Sequence, residues 1–125
     1  MENLSSRSQT PITIVTACSS SFFDRLRNFV GSVHFWSPTA HVVVYDIGLL
    51  DHQIREVEVC CVHMVIIISV VKLWHNVEII HFDLTQYDDH VHLLRTYAWK
   101  PLVMQDAVQR YHTILYVVCM SQWIM

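Results

Sequence analysis

"PITIVTACSSSFFDRLRNFVGSVHFWSPTAHVVVYDIG", residues 11–48, is the stretch whose reading decides the fold. It opens at Pro11 and runs through β-branched residues into small polar ones, Pro11 to Ser20. That pattern predicts a buried strand ending in a loop. Phe22, Leu26, Phe29 and Val33 then recur at helical spacing, with Ser21 and Asp24 placed as a capping pair. Ser37 to Ala40, "SPTA", reads as a turn. "HVVVYDIG" from His41 is a second continuous apolar strand, closed by Asp46 and Gly48. The alternation of strand and helix predicts a parallel sheet with helices covering its faces.

The rest of the chain extends the alternation. Leu50, Ile54 and Val57 mark a short helix. "NVEIIHFDL", Asn76 to Leu84, is a further strand, and "TQYDDHVHLLRT" a polar loop. A helix follows from "YAWKP" to Tyr111, with stripes at Val103, Ala107 and Tyr111 and at Met104 and Val108. Thr96 is positioned to cap it, and Pro101 sits where a missing N–H costs nothing. Thr113 to Met120 is the last strand. Between these lies "VCCVHMVIIISVVKLWH", residues 59–75, almost all apolar and too short to cross a bilayer. Periodicity leaves strand, buried helix and interfacial segment equally open there. The expected architecture is α/β: a Rossmann-like, mostly parallel sheet with flanking helices over residues 11–125, after a flexible tail of ten residues.

Composition narrows the function classes. Hydrophobic residues make up 53% of the 125, enough for a packed core. Eight basic and eleven acidic residues give a formal charge of -3, and the basic ones are scattered. That argues against nucleic acid, which requires a clustered positive surface. Four cysteines lack zinc or disulfide spacing and read as small buried thiols. The polar N-terminus is neither a signal peptide nor an anchor. Asn3-Leu4-Ser5 fits a glycosylation acceptor only in a secretory setting. With two glycines, Gly31 and Gly48, there is no Gly-rich phosphate loop. No nucleophile-elbow motif supports a hydrolase. "DDHVH", residues 88–92, offers two histidines at i, i+2, a metal-binding spacing on a strand but a solvated one in a loop.

In an open parallel sheet, ligands bind beyond the carboxyl ends of the strands. Three groups fall there. Thr16, Ala17, Cys18 and Ser19, read as following the first strand, are small enough to let a base or ribose approach the backbone. Tyr45 and Asp46 follow the second strand, an aromatic ring to stack on a base and an acid to accept from ribose hydroxyls. Against that, Asp46 before Gly48 also suits a plain turn. Lys100 lies in the first turn of the last helix, beside unpaired amide donors that favour a diphosphate. An exposed lysine is the alternative, although a cation at a helix N-terminus costs about 0.3–1 kcal/mol.

"ITIVTACSSSFFDRLRNFVGSVHFW", "VVVYDIGL" and "RTYAWKPLVMQDAV" together resemble a group of animal glycosyltransferase-like proteins, related to the nucleotide-diphospho-sugar transferases of the glycosyltransferase A fold. The resemblance covers most of residues 11–116, leaving residues 59–75 as an insertion. It implies a UDP-sugar as ligand, with Thr16, Ala17 and Ser19 facing the nucleoside, Tyr45 and Asp46 near base or ribose, and Lys100 near the diphosphate. It also implies manganese in intact relatives, and the Golgi as compartment.

One departure matters for chemistry. Such enzymes carry an acidic metal-binding pair after the strand that follows the lysine-bearing helix. Here that place reads "LYVVCMSQW", with Val118 and Met120 where acids are expected. The acceptor-binding half of such enzymes is also missing. The expectation is a partial donor site without transfer activity and without a metal of its own. The alternatives are a non-catalytic module that binds a nucleotide or a protein, and a fragmentary gene product.

Overall fold

The computed structural model describes residues 12–58, 74–88, 93–94 and 97–118. They form four strands and three helices in the order β1 (Thr13–Cys18), α1 (Phe23–Trp36), β2 (Val42–Asp46), α2 (Asp51–Glu58), β3 (Val77–His81), α3 (Trp99–Tyr111) and β4 (Ile114–Tyr116). The strands make one sheet in the order β3-β2-β1-β4, with every pairing parallel. The expected α/β, Rossmann-like architecture is therefore the observed one.

Why β2 lies at the centre is plain from its residues. Val42, Val43, Val44 and Tyr45 are all fully buried, which only a strand covered on both faces requires. Edge strand β3 instead exposes Glu78 and His81. Alternation along the strands splits the core in two. On one face Cys18, Val42 and Val44 pack with Phe23, Leu26, Phe29 and Val30 of α1 and Val57 of α2. On the other, Val15, Ala17, Val43 and Tyr45 pack with Trp99, Val103 and Ala107 of α3. The first of the two expected α3 stripes is thus the buried one, and Val108 of the second is exposed.

Several boundaries differ from expectation, each for a physical reason. β1 runs through Cys18, because Ala17 and Cys18 pair with Tyr45 and Asp46. Thr16, Ala17 and Cys18 therefore lie within the strand and not after it. A single tight turn at Ser20–Phe22 precedes α1, so its N-cap is Phe22, which has no capping side chain. Asp24 instead accepts from Arg27 Nη1 at 2.7 Å. β3 starts after Asn76, whose φ of 56° breaks extended geometry, and stops at His81. Ala98 is the N-cap of α3. Thr96, residues 59–73, residues 89–92 and the Asn3 acceptor lie outside the described residues.

Candidate functional site

The strand order reverses at β1: β2 and β3 lie to one side and β4 to the other. Loops at such a point diverge to opposite faces and leave a crevice at the carboxyl rim. Three strand ends define that rim here, Cys18, Asp46 and His81, placed side by side by register.

Helix length places Lys100 on the same rim. Tyr111 ends α3, and after two intervening residues Ile114 enters β4 beside Thr13, at the amino end of β1. Thirteen helical residues then span about 20 Å, which matches the roughly 20 Å of six-residue β1. The first turn of α3 thus returns to the carboxyl rim, and Trp99 joins the core cluster of Ala17 and Tyr45. The Lys100 ammonium lies 5.1 Å from the centre of the Tyr97 ring and 6.0 Å from that of Trp99. These π faces offset part of the dipole cost of a cation at that end. Tyr97 itself has φ 57°, making the tight entry to the helix. Among the described residues no carboxylate pairs with Lys100.

The other expected residues are less free. Thr16 is wholly buried in mid-strand, and its hydroxyl has no partner among the described residues. Ala17 packs under α3. Ser19 is nearly buried, and its carbonyl accepts from Phe22 N–H. Tyr45 is fully buried, with the Phe82 ring edge-on at 5.6 Å and its hydroxyl donating to Asp106. Its ring therefore presents no open face to a base. Asp106, in the middle of α3, also accepts from Arg110 Nε at 2.7 Å. Asp46 is committed too: Oδ1 accepts from the N–H groups of Gly48 and Leu49 at 2.9 and 2.7 Å, while Oδ2 meets His81 Nδ1 at 2.8 Å. Gly48 has φ 146°, a conformation that favours glycine, and its carbonyl accepts from Ser20 N–H. The turn after β2 is thereby tied to the turn after β1.

Two residues, His81 on the rim and Asp106 beneath it, are not singled out by the sequence pattern. His81 was legible only as the end of an apolar run; its place beside Asp46 depends on strand register. Asp106 reads as an ordinary polar residue between helical stripes, and nothing in the pattern announces that β2 would offer it a phenol.

A groove of about 500 Å³ opens on the β2–β3 side of the rim, lined by Asp46 to Leu49, His81 to Thr85 and Leu94. Among the described residues no three His, Cys, Asp or Glu side chains gather to hold a metal. At the end of β4, Tyr116 to Val118 supply no carboxylate, so the donors present there do not fit a divalent ion. The rim offers hydrogen-bonding groups and the Lys100 ammonium. No helix among the described residues is long and apolar enough to cross a membrane.

Two phenols give the fold a pH dependence. Burial, then the bond to Asp106, pushes Tyr45 above the usual tyrosine range. Burial, then the bond to Glu78, pushes Tyr111 up to about 12. A raised folded-state pKa stabilises fully below the unfolded value of about 10, and that stability is lost as pH climbs through the folded values. Alkaline unfolding is expected to set in above about pH 10, with Tyr45→Phe blunting it. Phenolate absorbance checks this: of the five tyrosines, Tyr45 and Tyr111 should ionise last, together with loss of structure.

No curated protein and no solved structure matches the chain. A family model does match, over residues 1–105, and its description is a protein of unknown function, DUF1647. A match over most of the chain makes this protein a member of the DUF1647 family.

Proposed function

We propose that the chain is a nucleotide-diphospho-sugar-binding domain of glycosyltransferase A type, holding a UDP-sugar along the carboxyl rim and lacking transfer activity of its own. One observation carries the reading. The length of α3 and the entry of β4 beside the start of β1 bring the first turn of α3, with Lys100, back to the rim of Ser19 and Asp46. A diphosphate lying across the crevice would meet the Lys100 ammonium; the Lys100 N–H is already given to the Tyr97 carbonyl at 3.1 Å and Pro101 has none, so the side chain carries the contact. Ser19, the small residue that follows β1, stands at the crevice, and Asp46 would lie on the ribose side. The resemblance of "VVVYDIGL" and "RTYAWKPLVMQDAV" to glycosyltransferase-like proteins supports the same placement. Intact relatives would use manganese to neutralise the departing diphosphate, and the end of β4 gives this chain no acids for that task.

Calorimetry with UDP tests the reading. Saturable binding is expected, weakened about tenfold by Lys100→Ala, as for loss of one partly solvated charge-assisted contact. Incubation with a UDP-sugar and manganese is expected to release no UDP. Absence of UDP binding, or binding indifferent to Lys100→Ala, would overturn the donor site. A partner-binding module would then be the better reading, on the strength of Phe35 and Trp36, each 75% exposed at the end of α1.

A further inference from the structure

We propose that His81, oriented by Asp46, is a hydrogen-bond-accepting site that takes a hydroxyl of a neutral polyhydroxyl ring in the β2–β3 groove. The proposal extends the donor-site reading to the part of the ligand that carries no phosphate.

Register puts the two side chains together, since Asp46 and His81 are paired residues at the ends of β2 and β3. Asp46 is 12% exposed, and the N–H groups of Gly48 and Leu49 hold its Oδ1. A carboxylate held this way has only lone pairs to offer, so the 2.8 Å contact from Oδ2 requires the proton on His81 Nδ1. In the neutral imidazole, Nε2 is then the acceptor. The ring is 60% exposed, lines the groove, and has no second partner among the described residues.

The groove's other groups say what kind of donor would fit. Asp83 supplies a second carboxylate, whose Oδ1 accepts from the Thr85 N–H at 2.9 Å. Among the described residues neither lysine nor arginine lines it, so a phosphate would meet acceptors and negative charge from them. Three N–H donors already spread the charge of Asp46, which lowers the gain from a bound cation. Leu49 and Phe82 present apolar surface for the C–H face of a ring. An uncharged ring with hydroxyl donors satisfies all of these. Ribose and hexose share that chemistry. The groove thus suits the neutral end of a ligand whose charged end lies towards Lys100.

Nitrogen–proton correlation spectra of the labelled full chain, taken above neutral pH, test the tautomer. His81 is expected to carry its proton on Nδ1, and Asp46→Asn is expected to move it to Nε2. Titration with uridine and with methyl glucoside then tests the ligand class. A shift of the His81 Nε2 signal by uridine assigns the groove to ribose; a shift by methyl glucoside assigns it to the sugar. In either case His81→Phe should weaken binding about fivefold, with an unchanged circular dichroism spectrum. The proposal is overturned if the wild-type proton sits on Nε2, or if neither neutral compound moves the signal. It is equally overturned if pyrophosphate alone moves it. None of these failures touches UDP binding at Lys100, which Lys100→Ala tests separately.

Discussion

Replacing Trp99 with alanine is expected to cost about 3–5 kcal/mol of folding stability, a third or more of what a small domain has. Trp99 is 1% exposed and lies in the core cluster of Val15, Ala17, Val43, Tyr45, Val103 and Ala107. Three effects add on truncation. The indole area returns to water, a cavity opens under the first turn of α3, and the Leu94 carbonyl loses the Nε1–H donor that now meets it at 2.9 Å. Trp99→Phe should cost less, about 1–2 kcal/mol, because it keeps most of the volume and loses only the donor. Urea unfolding followed by circular dichroism measures both, free of the change in tryptophan fluorescence. The alanine variant should also weaken UDP, since the ring that anchors this turn also lies 6.0 Å from the Lys100 ammonium. A loss below about 1 kcal/mol would mean that the indole is not packed as described.

The two central strands and the helix between them were legible because burial on both faces leaves an unmistakable mark, the unbroken runs of β1 and β2. α3 was legible from the stripe of Val103 and Ala107. What sequence could not supply was anything that depends on register. The side-by-side placement of Asp46 and His81, the phenol of Tyr45 reaching Asp106, and the tie between Gly48 and Ser20 all arise from which residues become neighbours once the sheet forms. Tyr45 illustrates the cost. At the end of an apolar run it reads equally as a rim residue and as core, because this central strand buries its last apolar residue, Tyr45, as thoroughly as its first, Val42. The identity of Lys100 was readable; its place on the rim follows only from the length of α3 and the point where the chain enters β4. Thr16 escaped for a simpler reason. A threonine after Ile14 and Val15 looks like the start of a loop, whereas the ladder to β2 continues two residues further.

Trp74→Ala is expected to be the matching lesion on the opposite face, again about 3–5 kcal/mol. Trp74 closes the apolar run of residues 59–75, whose local structure periodicity leaves open, yet its side chain is fully buried. It stacks on Phe23 with ring centres 5.7 Å apart, and its Nε1–H donates to Glu56 Oε2 at 3.1 Å. The same carboxylate takes two bonds from Arg27, Nε to Oε2 at 2.9 Å and Nη2 to Oε1 at 2.8 Å. One glutamate on α2 thus gathers α1 and the approach to β3. Since Trp74 and Glu56 share a bond, their substitutions should not add. In a double-mutant cycle, Trp74→Phe and Glu56→Gln together should cost about 0.5–1.5 kcal/mol less than the two separate losses summed. The charge makes a further distinction possible. The bonds from Arg27 hold the Glu56 carboxyl below the usual range. A lowered folded-state pKa stabilises above the unfolded value, about 4.3 for glutamate, and that stability is lost as pH falls through the folded one. Glu56→Gln should therefore flatten the fall in stability below about pH 4.3, whereas Trp74→Ala should lower stability at every pH. If both variants changed only the acid limb, burial of the indole would contribute little, and the core cluster under α1 would have to be redrawn without it.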